Sequence, residues 1–162
     1  MRLIPVQTSL QRERLARLAD AIWREHYTPI LGPEQVAYMV ANYQSYEAIG
    51  ERISQGERYW LMLEADKPVG YCAFALEEGA LFLSKLYVAA PYRGRGLAAQ
   101  ALRELERVAR EAGLKRIYLH VNRGNGASIA AYRALGFAVE REIDTDIGQG
   151  FAMNDYIMAK RV

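Results

Sequence analysis

The chain is poor in the groups that build disulfides, metal sites and membrane anchors. Of its 162 residues one, Cys72, is a cysteine and two are histidines. A single cysteine excludes an internal disulfide, and its place in an apolar, strand-like run points to a buried thiol in a reducing compartment. No metal is expected. No apolar run approaches membrane-spanning length, and Met1-Arg2-Leu3-Ile4-Pro5-Val6 lacks the apolar core and cleavage site of a signal peptide. The expectation is therefore a cytoplasmic protein without a membrane partner. A net charge of +2, with basic residues dispersed among acids, gives no reason to expect a nucleic-acid partner. Repeats, linkers and low-complexity stretches are absent too. What remains is a chain 51% apolar and 25% charged, long enough to bury a core and sized for one compact domain over residues 1–162.

Hydrophobic periodicity orders the elements. Leu3 to Gln7 reads as a short strand. Thr8 or Ser9 then caps a helix carrying Leu10, Leu15, Leu18, Ile22 and Trp23 on one stripe and ending near Tyr27, before Thr28-Pro29 and Gly32-Pro33. A second helix starts at Pro33, with Val36, Tyr38, Met39 and Val40 apolar, and a third spans about Tyr46 to Ser54, closed by Gly56. Three antiparallel strands follow: Arg58 to Glu64, Val69 to Leu76 and Ala80 to Ala89. From Arg95 to Ala112, spacings of four and three put Leu97, Ala101, Leu105, Val108 and Ala112 on one face of a long helix. Ile117 to Val121 is a strand, Ser128 to Leu135 a helix, and strands from Gly136-Phe137 to Asp146 and from Phe151 to Lys160 flank the turn Gly148-Gln149-Gly150. The fold class is α/β, a mixed, largely antiparallel central sheet flanked by helices.

Between the third of the antiparallel strands and the long helix runs Leu86-Tyr87-Val88-Ala89-Ala90-Pro91-Tyr92-Arg93-Gly94-Arg95-Gly96-Leu97-Ala98. Glycines let the backbone approach a ligand closely, and the unpaired N–H groups of a helix start attract negative charge. Arg93 and Arg95 add donors suited to phosphate oxygens. Gly94, Gly96 and Ala99 also satisfy G-x-G-x-x-A, yet the strand after the helix ends in His120-Val121-Asn122 rather than in the acid a dinucleotide ribose requires. No G-x-x-x-x-G-K-[ST] occurs, which excludes a Walker loop. A glycine-rich turn that binds nothing is the remaining alternative.

Arg93-x-x-Gly96-x-Ala98, followed by Asn125-x-x-Ser128-x-x-x-Tyr132-x-x-x-Gly136-Phe137, resembles the two hallmark motifs of the GNAT acetyltransferase superfamily, in the right order and with one helix and one strand between them. The resemblance covers essentially the whole chain. It implies an acetyl-CoA-dependent N-acetyltransferase with the pyrophosphate on Arg93, Gly94, Arg95, Gly96, Leu97 and Ala98. It also implies that backbone at Leu86, Tyr87 and Val88 pairs with the pantetheine arm, that Asn125, with Ser128 beside it in the motif, binds that arm, and that strands splaying near Val88 and Val121 admit it. A homodimer is common in the family, and aromatic residues near the C-terminus suit one.

Acetyl transfer to an amine needs an uncharged nucleophile, a polarised carbonyl and a proton for the departing thiolate. The family pattern assigns the proton to Tyr132, since a phenol titrating near about 10 stays protonated at neutral pH; its alternative is an aromatic packed on a helix face. The N–H near Val88 is the family-based oxyanion donor. The strand Ala80 to Ala89 has no Glu where many members carry their general base, which leaves His120, glutamates or ordered water to take up a proton. The alternative reading of His120 is a histidine simply hydrogen-bonded in place.

The acceptor pocket of the superfamily is walled by the first helical region and the last hairpin. Glu140, Glu142, Asp144 and Asp146 alternate with Val139, Arg141, Ile143, Thr145 and Ile147, so strand periodicity puts four carboxylates on one face, either attracting a cation or simply solvated. Tyr27 to Leu31, Glu34 to Met39 and Asp146 to Tyr156 resemble a bacterial branch similar to spermidine/spermine N-acetyltransferases. That resemblance implies a polyamine acceptor, with Tyr27, Glu34, Asp146 and Asp155 on the acceptor side. An amino acid, an antibiotic amine or a protein N-terminus fits the same core, as does a CoA-binding regulatory module without chemistry.

Overall fold

Thr8 opens the first helix through a reciprocal cap. Its hydroxyl accepts from the Gln11 N–H at 3.1 Å, while Gln11 Oε1 accepts from the N–H groups of Gln7 and Thr8 at 2.7 and 2.9 Å. In this computed structural model, which describes residues 1–162, strand β1 (Arg2–Pro5) precedes that cap and helix α1 (Ser9–Leu31) follows it. The helix does not end near Tyr27 as its Thr-Pro pair suggested. Pro29 lacks the N–H that would meet the Glu25 carbonyl, but the Thr28 hydroxyl donates to the Arg24 carbonyl and the Gly32 N–H to the Thr28 carbonyl, closing the turns on either side. The buried stripe is Leu15, Ala19, Ile22, Trp23 and Tyr27; Leu10, expected on it, is 65% exposed.

Helix α2 (Pro33–Met39) passes directly into a π-helical turn, Val40–Gln44, which the expected helix with Val36, Tyr38, Met39 and Val40 did not contain. The widened turn buries Gln44, whose amide oxygen accepts from the Tyr71 hydroxyl at 3.0 Å. Helix α3 (Tyr46–Ser54), capped by Ser45, matches its expected span.

The strands are β2 (Arg58–Glu64), β3 (Lys67–Glu77), β4 (Ala80–Val88), β5 (Arg116–Asn122), β6 (Ala138–Gly148) and β7 (Phe151–Arg161). Helix α4 (Leu97–Glu111) joins β4 to β5, and α5 (Gly126–Ala134) joins β5 to β6. Ala65 and Asp66, with φ of 46° and 65°, form the tight turn between β2 and β3. The seven strands lie in the order β1-β2-β3-β4-β5-β7-β6. The registered pairs are antiparallel for β1–β2, β2–β3, β5–β7 and β6–β7, and parallel for β4–β5, so the mixed, largely antiparallel sheet is as expected.

By contacts the chain divides into two compact units: Met1–Ala75 with Lys85–Leu102, and Leu76–Ser84 with Arg103–Val162. In the first, Leu15, Ile22, Ile49, Leu61 and Tyr71 form one core cluster, and Met62, Val69, Leu97 and Ala101 form another. In the second, Ile117, Leu119, Phe137 and Met158 are buried. The buried apolar residues of α4 are Leu97, Ala101, Leu102, Leu105 and Ala109, with Glu106 buried among them; Val108 is half-buried and Ala112 exposed, so the buried face is rotated toward Leu102 and Ala109 relative to the expected one.

Candidate functional site

In the first unit, β4 ends at Val88 and the Ala89 N–H is held by the Val69 carbonyl at 2.8 Å. A single 3-10 turn, Ala90–Tyr92, then leads into Arg93. Gly94 and Gly96 have φ of 77° and 76°, a region costly for any residue with a β-carbon. Gly96 cannot belong to the helix in that conformation, so α4 starts at Leu97 rather than near Arg95. The Gly96 carbonyl accepts the first helical bond, from the Gln100 N–H at 3.0 Å. The amides of Leu97, Ala98 and Ala99 thus precede the first intrahelical donor, as the opening turn of a helix dictates. Leu97 itself is buried and anchors this start. A β-carbon built at Gly94 or Gly96 meets nothing within 4 Å, so both glycines border open space. Helix-start amides, an arginine and open space fit the diphosphate of a cofactor such as acetyl-CoA.

The two arginines of this loop do different things. Arg93 donates from Nε to the Val88 carbonyl at 2.9 Å and from both terminal nitrogens to the Glu25 carboxylate at 3.2 and 2.8 Å. Its expected partner was phosphate; the observed one is a carboxylate on α1, whose pKa the Arg93 hydrogen bond draws below the ordinary glutamate range. Arg95 lies over the Tyr92 ring at 5.2 Å and reaches the Pro91 carbonyl at 3.3 Å, an exposed arrangement.

Upstream, the stretch Leu86, Tyr87, Val88 is packed closely on its neighbours. Leu86 and Val88 lie against the Met62 and Val69 cluster. Tyr87 packs among Trp23, Tyr27 and Tyr71, and its hydroxyl is 3.0 Å from that of Tyr27. Beside them Lys85 is 7% exposed, with its ammonium 3.6 Å from the Glu57 carboxylate; burial pulls its pKa down to about 8. Neither Lys85 nor Glu25 stood out in the sequence. A lysine within the apolar run of β4 is the one signal that pointed to the former.

The second unit holds Asn125, Ser128, Tyr132, His120, Asp146 and Asp155 of the expected site residues. Asn125 is buried and caps α5, its side-chain oxygen accepting from the Ser128 N–H at 3.3 Å. Tyr132 lies seven residues on, two turns along that helix, half-buried with its ring centroid 5.5 Å from that of Phe137 in an edge-to-face arrangement. On β5, His120 is an exposed residue beside Phe82 and Tyr118. Desolvation of its ring, then Arg141, keep it below the ordinary histidine range, so it is neutral at pH 7. Asp155 on β7 faces Asn122 across the β5–β7 ladder and is 3% exposed. Its burial raises the carboxyl pKa to about 6 against the opposing pull of Arg123.

Of the expected face of four carboxylates, Glu142, Asp144 and Asp146 alternate without a break and Glu140 is set apart. A register shift between Val139 and Arg141 breaks the alternation at Glu140, and a second follows Asp146. Glu140 pairs with Arg116, while Glu142 and Asp144 share Arg123, so three of the four are engaged by two arginines. Asp146 accepts from the Gly148 N–H at 2.8 Å. In the first unit, Tyr27 is buried and Glu34 is exposed in the first turn of α2. No group of three or more His, Cys, Asp or Glu side chains is placed to hold a metal, and no helix is long and apolar enough to cross a membrane.

A family model described as the acetyltransferase (GNAT) family matches residues 15–137. The chain is 38% identical over 86 residues to the uncharacterized N-acetyltransferase YdgE of Bacillus subtilis, covering 52% of this chain and 50% of that protein. It therefore spans about half the length of YdgE. Over 152 residues it is 27% identical to the uncharacterized N-acetyltransferase Rv2669 of Mycobacterium tuberculosis, covering 93% of this chain and 97% of that one. Among solved structures, the PaiA N-acetyltransferase of Thermoplasma acidophilum in complex with coenzyme A shares the fold, with a TM-score of 0.83 and 21% identity over 100% of both chains.

Proposed function

This chain belongs to the GNAT acetyltransferase family, and on that premise we propose that it transfers the acetyl group of acetyl-CoA to the primary amine of a small molecule, a polyamine such as spermidine or spermine. The observation that carries this reading is the opening of α4: two positive-φ glycines flank Arg95 and border open space before a row of helix-start amides. When bound, acetyl-CoA supplies an acyl thioester already activated toward an amine.

The chain's own groups divide the work. Amides at Leu97 and Ala98, with the Arg95 guanidinium, take the diphosphate charge; a helix start contributes about 0.3–1 kcal/mol to an exposed anion and up to about 2 in partly buried geometry. The registered pairs of β4 with β5 end at Leu83, which supports an extended arm pairing with the main chain at Leu86, Tyr87 and Val88. Asn125 has its oxygen committed to Ser128, so its amide N–H₂ is the group that binds the arm. Tyr132 gives its phenol proton to the departing sulfur as the carbon–sulfur bond breaks and the carbon–nitrogen bond forms. The Val88 N–H stabilises the charge on the carbonyl oxygen. His120, neutral at pH 7, accepts the proton the amine loses, through water.

Once Arg116 and Arg123 have taken Glu140, Glu142 and Asp144, the acidic groups that favour a cationic acceptor are Glu34, Asp146 and Asp155. The same core accommodates an amino acid, an antibiotic amine or a protein N-terminus. A panel of these acceptors, followed by thiol release, separates the cases. Turnover with spermidine or spermine is the expected result, and turnover confined to another amine removes the polyamine. Absence of turnover with any amine alongside tight coenzyme A binding would indicate a regulatory module, and absence of coenzyme A binding overturns the reading entirely.

A further inference from the structure

We propose that the C-terminal half of α1 belongs to the cofactor-binding machinery: Glu25 acting through Arg93, and Tyr27 acting through Tyr87, are positioning residues that hold the segment Leu86–Ala98 ready for coenzyme A. The inference rests on the acetyl-CoA reading above and adds residues to it.

A loop with glycines at two of three successive positions loses much conformational entropy when it becomes ordered. Its amides present a preformed anion site only if something else fixes the loop before the ligand arrives. Arg93 does so by a three-way clasp. Its Nε holds the Val88 carbonyl at the end of β4, and its two terminal nitrogens hold both oxygens of Glu25 on α1. Donors in a planar fork meeting a carboxylate in this way fix orientation as well as distance. At the other end of the same segment, the Tyr27 and Tyr87 hydroxyls meet at 3.0 Å with their rings at 82°, and Tyr27 is 6% exposed. The two contacts from α1 therefore bracket Tyr87 to Arg93, the stretch between the expected arm-binding strand and the glycines.

Charge supports the division. Glu25 neutralises Arg93, so Arg93 brings no net charge to a phosphate, and the attraction falls to Arg95 and the amides. The same arrangement explains why an arginine in the expected motif points away from its expected ligand. It also moves Tyr27 from the acceptor side to the cofactor side of the reaction.

Calorimetry with coenzyme A itself tests this, using the full chain and the variants Glu25→Gln, Arg93→Lys, Tyr27→Phe and the double variant Glu25→Gln/Arg93→Lys. Glu25→Gln and Arg93→Lys are each expected to weaken binding by about fivefold to twentyfold, and the double variant by no more than about twice the larger single effect, because one clasp cannot be lost twice. Tyr27→Phe, which keeps the ring, is expected to cost about threefold to fivefold. Melting of the unliganded protein should move little, since the Glu25–Arg93 pair is half-exposed. The proposal is overturned if Glu25→Gln binds coenzyme A within about twofold of wild type, if it binds more tightly because a released Arg93 joins the phosphates, or if the single effects multiply in the double variant. Failure of the wild-type chain to bind coenzyme A at all would instead remove the functional reading.

Discussion

Gly70 of β3 lies directly against Tyr87 of β4: a β-carbon built at Gly70 stands 2.6 Å from the Tyr87 carbonyl oxygen, 2.8 Å from Met62 Sδ and 3.3 Å from Val88 Cα. The glycine is demanded by this close approach and not by its backbone angles. Because two of the three contacts are main chain of β4, the strand must move to admit a methyl group.

Gly70→Ala is therefore expected to destabilise the fold by about 1–3 kcal/mol, the usual range for overpacking a buried site. It should also weaken coenzyme A binding, since Tyr87 and Val88 shift with the strand. Thermal unfolding and calorimetry on the same preparation check both, and unchanged melting would show that β4 yields freely.

Gly96→Glu places a side chain at a φ of 76° and a carboxylate beside the α4 amides. The left-handed conformation costs a non-glycine residue roughly 1–2 kcal/mol, and the new charge opposes the diphosphate. Coenzyme A affinity is expected to fall by about a hundredfold or more while circular dichroism stays native, the fall exceeding that of a Gly96→Ala control because of charge. Equal losses in the two variants would place the phosphates elsewhere.

Tyr132→Phe keeps the ring edge against Phe137 and removes only the hydroxyl. If that hydroxyl protonates the leaving sulfur, kcat should fall by about a hundredfold, the lower end of general-acid contributions, with KM for acetyl-CoA nearly constant. A kcat within a few-fold of wild type would leave Tyr132 a packing residue.

Asp155 gives a pH-dependent stability effect whose sign follows from its raised pKa of about 6. The folded chain binds this proton more tightly than the unfolded chain does. The ionised carboxylate therefore weighs against folding above pH 6, and the penalty fades as pH falls toward the ordinary aspartate range. Asp155→Asn should melt higher than wild type at pH 8, with the gap narrowing through pH 6 and closing near pH 4. A gap independent of pH would mean that the Asp155 carboxylate is solvated.

Much of this architecture was legible because it depends on short-range rules. Thr8 with Gln11, Ser45 before α3, and Gly94 and Gly96 before α4 each act within a few residues, through a cap or a backbone angle. Elements misread from sequence had their causes further away or in hydrogen bonds that composition does not encode. Pro29 stays inside α1 because neighbouring turns are closed by Thr28 and Gly32. The π turn at Val40–Gln44 places Gln44 on Tyr71, 27 residues away. The carboxylates of β6 were correctly expected on a strand, but a bulge at Glu140 and two arginines from other elements decided what they face.

Sequence alone determined the order of elements, the sheet class and the glycine-flanked start of α4, because periodicity, capping and the φ demanded of a glycine are local properties. Only the tertiary structure decided which charges are spent on one another. Arg93 reads as a phosphate ligand until the fold brings Glu25 to it across 68 positions, and the burial of the Asp155 carboxyl exists only once β7 lies between β5 and β6. Coulomb attraction and desolvation depend on distance in space, and that distance exists only once the chain has folded.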